Sequence, residues 1–244
     1  MSVAVVIPAR LASTRLPRKA LRDIHGKPLI QWVYERSKAS DYVDEVFVAT
    51  PDKELEDVVV GFKGKIIRTG PAPTVLDRCS MAADILEQMG FKTTVVVQGD
   101  EPTIYPEMIA TALGPEGYGT CLIKKLRPED DIHNPNMVKA IIDVNGYFSY
   151  LSRAAIPSRS PEKDYQEFVT PYYKQVCVMK FDTKFLSKFK NMPMGPWERT
   201  EGIDLLRYIE NGYKVIKAIE TKFDTQAVDT AEDLEKVREM LKCE

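Results

Sequence analysis

Val3 to Lys19 reads VAVVIPARLASTRLPRK. Its opening residues, Val3–Ile7, are apolar and mostly β-branched, as in a buried strand, and Pro8 breaks the run. The chain then becomes a loop carrying Arg10, Ser13, Thr14, Arg15, Arg18 and Lys19. In open α/β sheets, ligands bind beyond the carboxyl ends of the strands. A basic, hydroxyl-bearing loop in that place suits a chain of phosphates, because arginine forks onto phosphate oxygens and lysine supplies a point charge. The competing reading is a solvated basic loop after an edge strand. Carboxylates at the ends of other predicted strands weigh against it.

Downstream, Pro28–Ala39 reads as a helix: Pro28 suits a first turn, and Ile30, Val33 and Tyr34 recur at helical spacing. Strands follow at Glu45–Ala49, Lys65–Ile67 and Thr93–Val97. Helices separate them at Asp52–Val60, ended by Gly61, and from a Thr74 cap to Met89, ended by Gly90. This order implies right-handed crossovers and a parallel sheet with helices on both faces. After Glu107 the pattern changes. Gly119–Leu126, Met137–Val144, Tyr147–Leu151 and Tyr173–Phe181 are strand candidates with no long helices between them, and Asn145–Gly146 marks a hairpin. Pro157–Pro171 is polar and reads as a mobile loop or arm. Helices at Thr183–Phe189 and Glu198–Glu210, a strand at Val215–Ile219 and a Thr230-capped helix to Leu241 follow. The expected fold is α/β and Rossmann-like: a mostly parallel sheet flanked by helices, with an antiparallel-rich C-terminal half. Residues 1–112 are expected to bind nucleotide. Residues 113–244 of the same domain are expected to hold a second substrate or a dimer contact.

Composition narrows the function. The chain has 244 residues, 44% of them hydrophobic, enough for a sizeable core in one large domain. A net charge of −2 gives no general attraction to nucleic acid or anionic membrane, so phosphate binding must come from a local cluster. Cys79, Cys121, Cys177 and Cys243 are far apart and form no CxxC, which argues against a zinc site or a redox pair. No apolar run approaches the ~20 residues needed to cross a bilayer, so a soluble, cytoplasmic protein is expected. His25 and His133 have no Cys or His at metal-ligand spacing and read as loop residues. GxxxxGK[ST], GxGxxG after the first strand, GxSxG and HExxH are all missing, which disfavours P-loop, dinucleotide, α/β-hydrolase and zincin chemistry.

The strand Thr93–Val97 runs straight into Gln98-Gly99-Asp100-Glu101-Pro102. This places a carboxylate at the carboxyl edge of the sheet, where hard oxygen ligands hold Mg2+ on a nucleoside triphosphate; a plain turn is the alternative. Asp229, just before the terminal helix, is the second candidate ligand, against a role in stabilising that helix. Asp77 and Arg78 fall in a first helical turn, where Arg78 could reach a base or phosphate or belong to a solvated face. Asn134-Pro135-Asn136, Lys139 and Ser152-Arg153 form a third polar group near strand ends, with turn chemistry and surface charge as their bland readings.

Together these stretches resemble the CMP-Kdo synthetases, the 3-deoxy-manno-octulosonate cytidylyltransferases, which are sugar nucleotidyltransferases of Rossmann-like fold. IPARLASTRLPRKAL is similar to the family's nucleotide-binding signature. HGKPLIQWVYER, VATPD, VVVQGDEP, NPNMVK, YLSRAAIP and AVDTAEDLEKVR follow in the family's order. The resemblance implies transfer of CMP from CTP to an acidic sugar, with pyrophosphate released. It implies Mg2+ on Asp100 and Asp229, and triphosphate on Arg10, Ser13 and Lys19 with Asp77 and Arg78 nearby. Charge stabilisation would come from Lys19 and Arg15. Gln98, Gln175, Glu198, Glu201 and Arg153 would face the acceptor, and the back half would carry a homodimer contact.

Three departures from the family's pattern stand out. Where the family has an SGTDR-type segment, this chain reads Pro73-Thr74-Val75-Leu76-Asp77-Arg78. The family's His-Leu-Gly-Ile-Tyr-Gly stretch is Gln175-Val176-Cys177-Val178-Met179-Lys180, and a usual loop glycine is Arg18. These changes lead to the expectation that the acceptor is not Kdo itself but a related acidic sugar or another small anion. Two alternatives stay open: a nucleotidyltransferase of the same fold with a different sugar, and a non-catalytic nucleotide-binding homologue.

Overall fold

The structure is a computed structural model describing residues 2–13, 15–158 and 170–242. Thr14, Cys243 and most of the loop expected over Pro157–Pro171 lie outside the described residues. The first part of the chain runs β1 (Val3–Pro8), β2 (Asp23–Ile24), β3 (Lys27–Pro28), α1 (Leu29–Lys38), β4 (Glu45–Thr50), α2 (Lys53–Gly61), β5 (Lys65–Arg68), α3 (Val75–Gln88), β6 (Thr93–Val97) and α4 (Pro106–Leu113). The rest runs β7 (Gly119–Lys125), β8 (Lys139–Ile142), β9 (Phe148–Ser152), β10 (Tyr173–Asp182), α5 (Thr183–Ser187), α6 (Pro196–Glu201), α7 (Leu206–Glu210), β11 (Ile216–Glu220) and α8 (Ala231–Met240).

The main sheet has the order β5-β4-β1-β6-β10-β7-β11. Along this path every strand runs parallel to its neighbours except β10, which is antiparallel to both β6 and β7. The hairpin β8–β9 extends from β10, joined across Asn145 and Gly146, whose φ of +81° suits the turn. Strand order reverses at β1. The chain steps outward through β4 and β5, then crosses back to lay β6 on the other side of β1. That reversal opens a crevice between the carboxyl ends of β1 and β6, where open α/β sheets bind ligands.

β1 is buried on both faces, as its unbroken apolar run requires. Val3, Val5 and Ile7 pack into one core with Leu29, Ile30 and Val33 of α1, Leu55 of α2 and Leu234 of α8. Ala4 and Val6 turn to a second core with Leu76 and Ala83 of α3 and Phe185 of α5. The sheet is thus clamped between two helical layers, and its strand ends are fixed in place.

Three differences from the sequence reading have local causes. α4 was not expected: its two turns bury Met108, Ile109 and Ala112, too short a repeat for periodicity to stand out. The helix expected over Glu198–Glu210 is divided into α6 and α7, because Gly202 takes a left-handed conformation (φ +63°) and ends α6. The helix expected to reach Phe189 stops at Ser187 and tightens into a 3-10 turn over Phe189–Asn191. Among the described residues, no helix is long and apolar enough to cross a membrane.

Candidate active site

Two loops leave the switch-point crevice side by side. The loop after β1 is tied down by Ala9 N–H donating to the Ala49 carbonyl (3.0 Å) and Leu11 N–H donating to Asp52 (2.7 Å). It ends in a single 3-10 turn, Lys19–Leu21, preceded by Arg18 in left-handed backbone (φ 57°). Glycine adopts that conformation without steric cost. The Arg18 guanidinium pairs with Glu54 of α2. The loop after β6 passes so close to β1 that a Cβ on Gly99 would lie 2.8 Å from the Pro8 carbonyl oxygen. Asp100 follows, and its carbonyl accepts from Val228 N–H (2.9 Å), which docks the segment before α8 and brings Asp229 alongside. A capping box between Thr230 and Asp233 fixes that end of α8.

Lys19, Arg15, Asp100 and Asp229 meet there. Lys19 Nζ lies 2.7 Å from Asp100 Oδ2 and 2.9 Å from Asp229 Oδ1. Arg15 Nη2 lies 3.0 Å from that same Asp229 oxygen, and its Nη1 donates to Asn136 Oδ1 (3.0 Å). The Lys19 side chain is 15% exposed. Burial opposes its charge, but Asp100 and Asp229 outweigh burial and raise its pKa. Asp100 Oδ1 is buried with no hydrogen-bond partner among the described residues. Among the described residues no three His, Cys, Asp or Glu side chains group as a metal cage. Two carboxylates with an unpartnered buried oxygen do fit a divalent cation that completes its shell with phosphate oxygens and water, as Mg2+ does on nucleotides.

Glu101 is buried beside this cluster. Burial, reinforced by Asp100, pushes its pKa up to about 8. Cys177 stands nearby on β10, its carbonyl accepting from Gln98 N–H at 3.4 Å. Its thiol is pushed up by burial and by Glu101 and Asp100, so it stays protonated.

The other expected site residues divide into two groups. Arg10 is exposed at the start of the signature loop, and Ser13 is half-buried farther along it. Arg78 is buried, donating to Thr69 Oγ1 (2.7 Å), and burial with Arg10 nearby lowers its pKa. Gln98 is half-buried at the end of β6. Gln175 lies on β10 with its Nε2 3.6 Å from Cys121 Sγ and 4.0 Å from Met179 Sδ, next to a bulge between Val176 and Met179.

Asp77, Glu198, Glu201 and Arg153 are engaged with protein groups instead. Arg207 forks onto both oxygens of Asp77 (2.8 and 3.0 Å) and both of Glu198 (2.7 and 2.7 Å), and all three side chains are almost wholly buried. Glu201 accepts from Ser152 Oγ (2.6 Å) and Arg153 N–H (2.9 Å). The Arg153 guanidinium donates to the Glu201 and Pro135 carbonyls (2.7 and 2.9 Å). Lys139, fully buried, donates to the carbonyls of Asn134, Met137 and Arg153, which steadies the loop that presents Asn136 to Arg15. Glu101, Arg207 and the Asn136 contact were given no individual role by the sequence reading. Only the adjacency of Glu101 to Asp100, and Asn136's place in a polar group, could have flagged them.

The cytidylyltransferase family model matches residues 4–223. The chain is 40% identical to the 3-deoxy-manno-octulosonate cytidylyltransferase of Thermodesulfovibrio yellowstonii, covering 96% of both chains. It is 38% identical to that of Geobacter sulfurreducens, over 99% of this chain and all of the relative. A solved CMP:2-keto-3-deoxy-manno-octonic acid synthetase complexed with CTP superposes with a TM-score of 0.87 at 32% identity, over 100% of this chain and 99% of the other. Agreement of sequence and fold along the whole chain makes it a member of the cytidylyltransferases, within the 3-deoxy-manno-octulosonate cytidylyltransferase family.

Proposed function

We propose that this enzyme transfers CMP from CTP to the hydroxyl of an acidic sugar, Kdo or a closely related ulosonic acid, and releases pyrophosphate. The observation that carries the reading is the convergence of Lys19, Arg15, Asp100 and Asp229 at the switch point between β1 and β6. The acceptor oxygen attacks the α-phosphorus in line, forming the new phosphodiester bond as the bond to pyrophosphate breaks. Asp100 and Asp229 would hold Mg2+, which when bound neutralises phosphate oxygens and eases ionisation of the acceptor hydroxyl. Lys19, Arg15 and Arg10 take up the charge that develops on the departing pyrophosphate. Gln98, at the carboxyl edge of β6, orients the acceptor, and a half-buried crevice holds both substrates in register.

Gln175 between two sulfur atoms favours a second reading of the acceptor side, in which a relative of Kdo is preferred over Kdo. The family relationship supports a cytoplasmic enzyme and a homodimer formed through the back half. The test is pyrophosphate release from CTP and Mg2+ with a panel of acidic sugars. Release with Kdo at least as fast as with any other member supports the family's acceptor, and release with another member alone supports the second reading. CTP binding without release from any member refutes the proposed transfer to an acidic sugar.

A further inference from the structure

The charge at the switch point is already balanced. Asp100 and Asp229 supply two negative charges, and Lys19 and Arg15 supply two positive charges within hydrogen-bond distance of them. Two monovalent side-chain cations carry the charge of one divalent ion. Lys19 Nζ touches both of the carboxylates that would hold the ion. A divalent cation entering while Lys19 and Arg15 remain would meet two like charges at short range in a partly buried site. Resting on the reading of Asp100 and Asp229 as the divalent-ion pair, we infer that Lys19, assisted by Arg15, is a built-in plug that shuts this pair to free metal until nucleotide phosphates draw the two cations away.

The surroundings suit such an exchange. Lys19 stands on a four-carbon stem at a single 3-10 turn in a loop, not inside a long helix. Arg15 is half-exposed, and its other bond is one contact to Asn136. Triphosphate oxygens would offer both side chains an anionic partner, leaving Asp100 and Asp229 free to hold a divalent ion. The swap leaves no charge unpaired at either end. The plug makes metal and nucleotide binding mutually reinforcing, by the same factor in each direction. It also keeps the two carboxylates together and paired when no nucleotide is bound.

The probe is Mn2+ alone, titrated into the full chain without nucleotide and followed by the electron paramagnetic resonance signal of free Mn2+. Wild type, Lys19→Met, Arg15→Met and Lys19→Met/Asp100→Asn are compared, with melting curves to confirm folding. Lys19→Met is expected to bind Mn2+ tighter than wild type by about tenfold or more. Arg15→Met should show a smaller gain, since it touches one carboxylate, and the double variant should lose the gain. Wild type binding Mn2+ as tightly as Lys19→Met, with binding abolished in Lys19→Met/Asp100→Asn, overturns the plug and leaves the metal pair standing. Binding that ignores Asp100→Asn overturns the metal reading, and the plug with it. If Lys19→Met does not fold, Arg15→Met decides: an unchanged Mn2+ affinity there refutes the plug.

Discussion

Replacing Arg207 by methionine tests whether Asp77 and Glu198 build the scaffold or bind substrate. Arg207 is the cation that both carboxylates share, and its guanidinium also lies 4.1 Å from the Phe189 ring centroid. The Asp77 and Glu198 side chains are 4% and 2% exposed, so neither turns to water when its partner goes. Methionine fills most of the volume and removes the charge and the N–H donors. Breaking a buried pair by deleting one partner costs about 3–5 kcal/mol, because the surviving charge is left uncompensated. For a chain of this size that lowers Tm by roughly 6–20 °C. Thermal and urea unfolding followed by circular dichroism read the loss. The triple variant Asp77→Asn/Glu198→Gln/Arg207→Met removes the three ions of this network together and should recover most of it, because their desolvation penalty disappears with them. Calorimetric titration with CTP gives the second axis. If Asp77 serves the scaffold alone, the triple variant binds CTP as wild type does. A melting point for Arg207→Met within about 2 °C of wild type, or a triple variant that is stable but has lost CTP, would refute the scaffold assignment.

Three further outcomes are expected. Burial beside Glu198 raises the Asp204 pKa from 3.8 to about 6, so Asp204 contributes stability that is present below 3.8 and lost as pH rises through 6. Asp204→Asn keeps an acceptor for the Leu76 N–H and should flatten that fall by at most about 3 kcal/mol; urea unfolding between pH 4 and 7 with an unchanged slope counts against it. Gly99→Ala forces a Cβ to within 2.8 Å of the Pro8 carbonyl oxygen. It should cost about 1–3 kcal/mol and lower kcat by roughly tenfold or more by displacing Asp100; wild-type kcat would show that the loop has slack. Gln175→His should change KM for the acceptor several-fold and leave KM for CTP within about twofold. Equal changes in both would place Gln175 outside the acceptor side.

The front of the fold was legible because its signals are local and repeat. β1, β4 and β6 are rich in β-branched residues, α1 and α3 carry apolar residues at helical spacing, and Thr74 caps α3 as its position suggested. α4 and the α6–α7 break lacked that length. Candidate site residues were legible where a strand end announced them, as at Asp100 after Thr93–Val97. The pairing between them was not, since Lys19 reaches Asp100 over 81 residues and Asp229 over 210. Asp77 shows the limit of such reading. An acid in a first helical turn looks the same in sequence whether it faces a nucleotide or an arginine 130 residues away, and only packing separates the two.

On the proposed reading, the orientation of β10 separates phosphate chemistry from acceptor choice. Because β10 runs against β6, its first residues, not its last, meet the carboxyl edge where Gln98 emerges. The bulge between Val176 and Met179 then inserts extra backbone at that edge, next to Gln175 and Cys177. None of these residues contributes to the Lys19–Asp100–Asp229 cluster, which is assembled from the loop after β1, the loop after β6 and the entry to α8. On that reading the proposed acceptor side can change along one strand while the proposed phosphate side is held by three other segments.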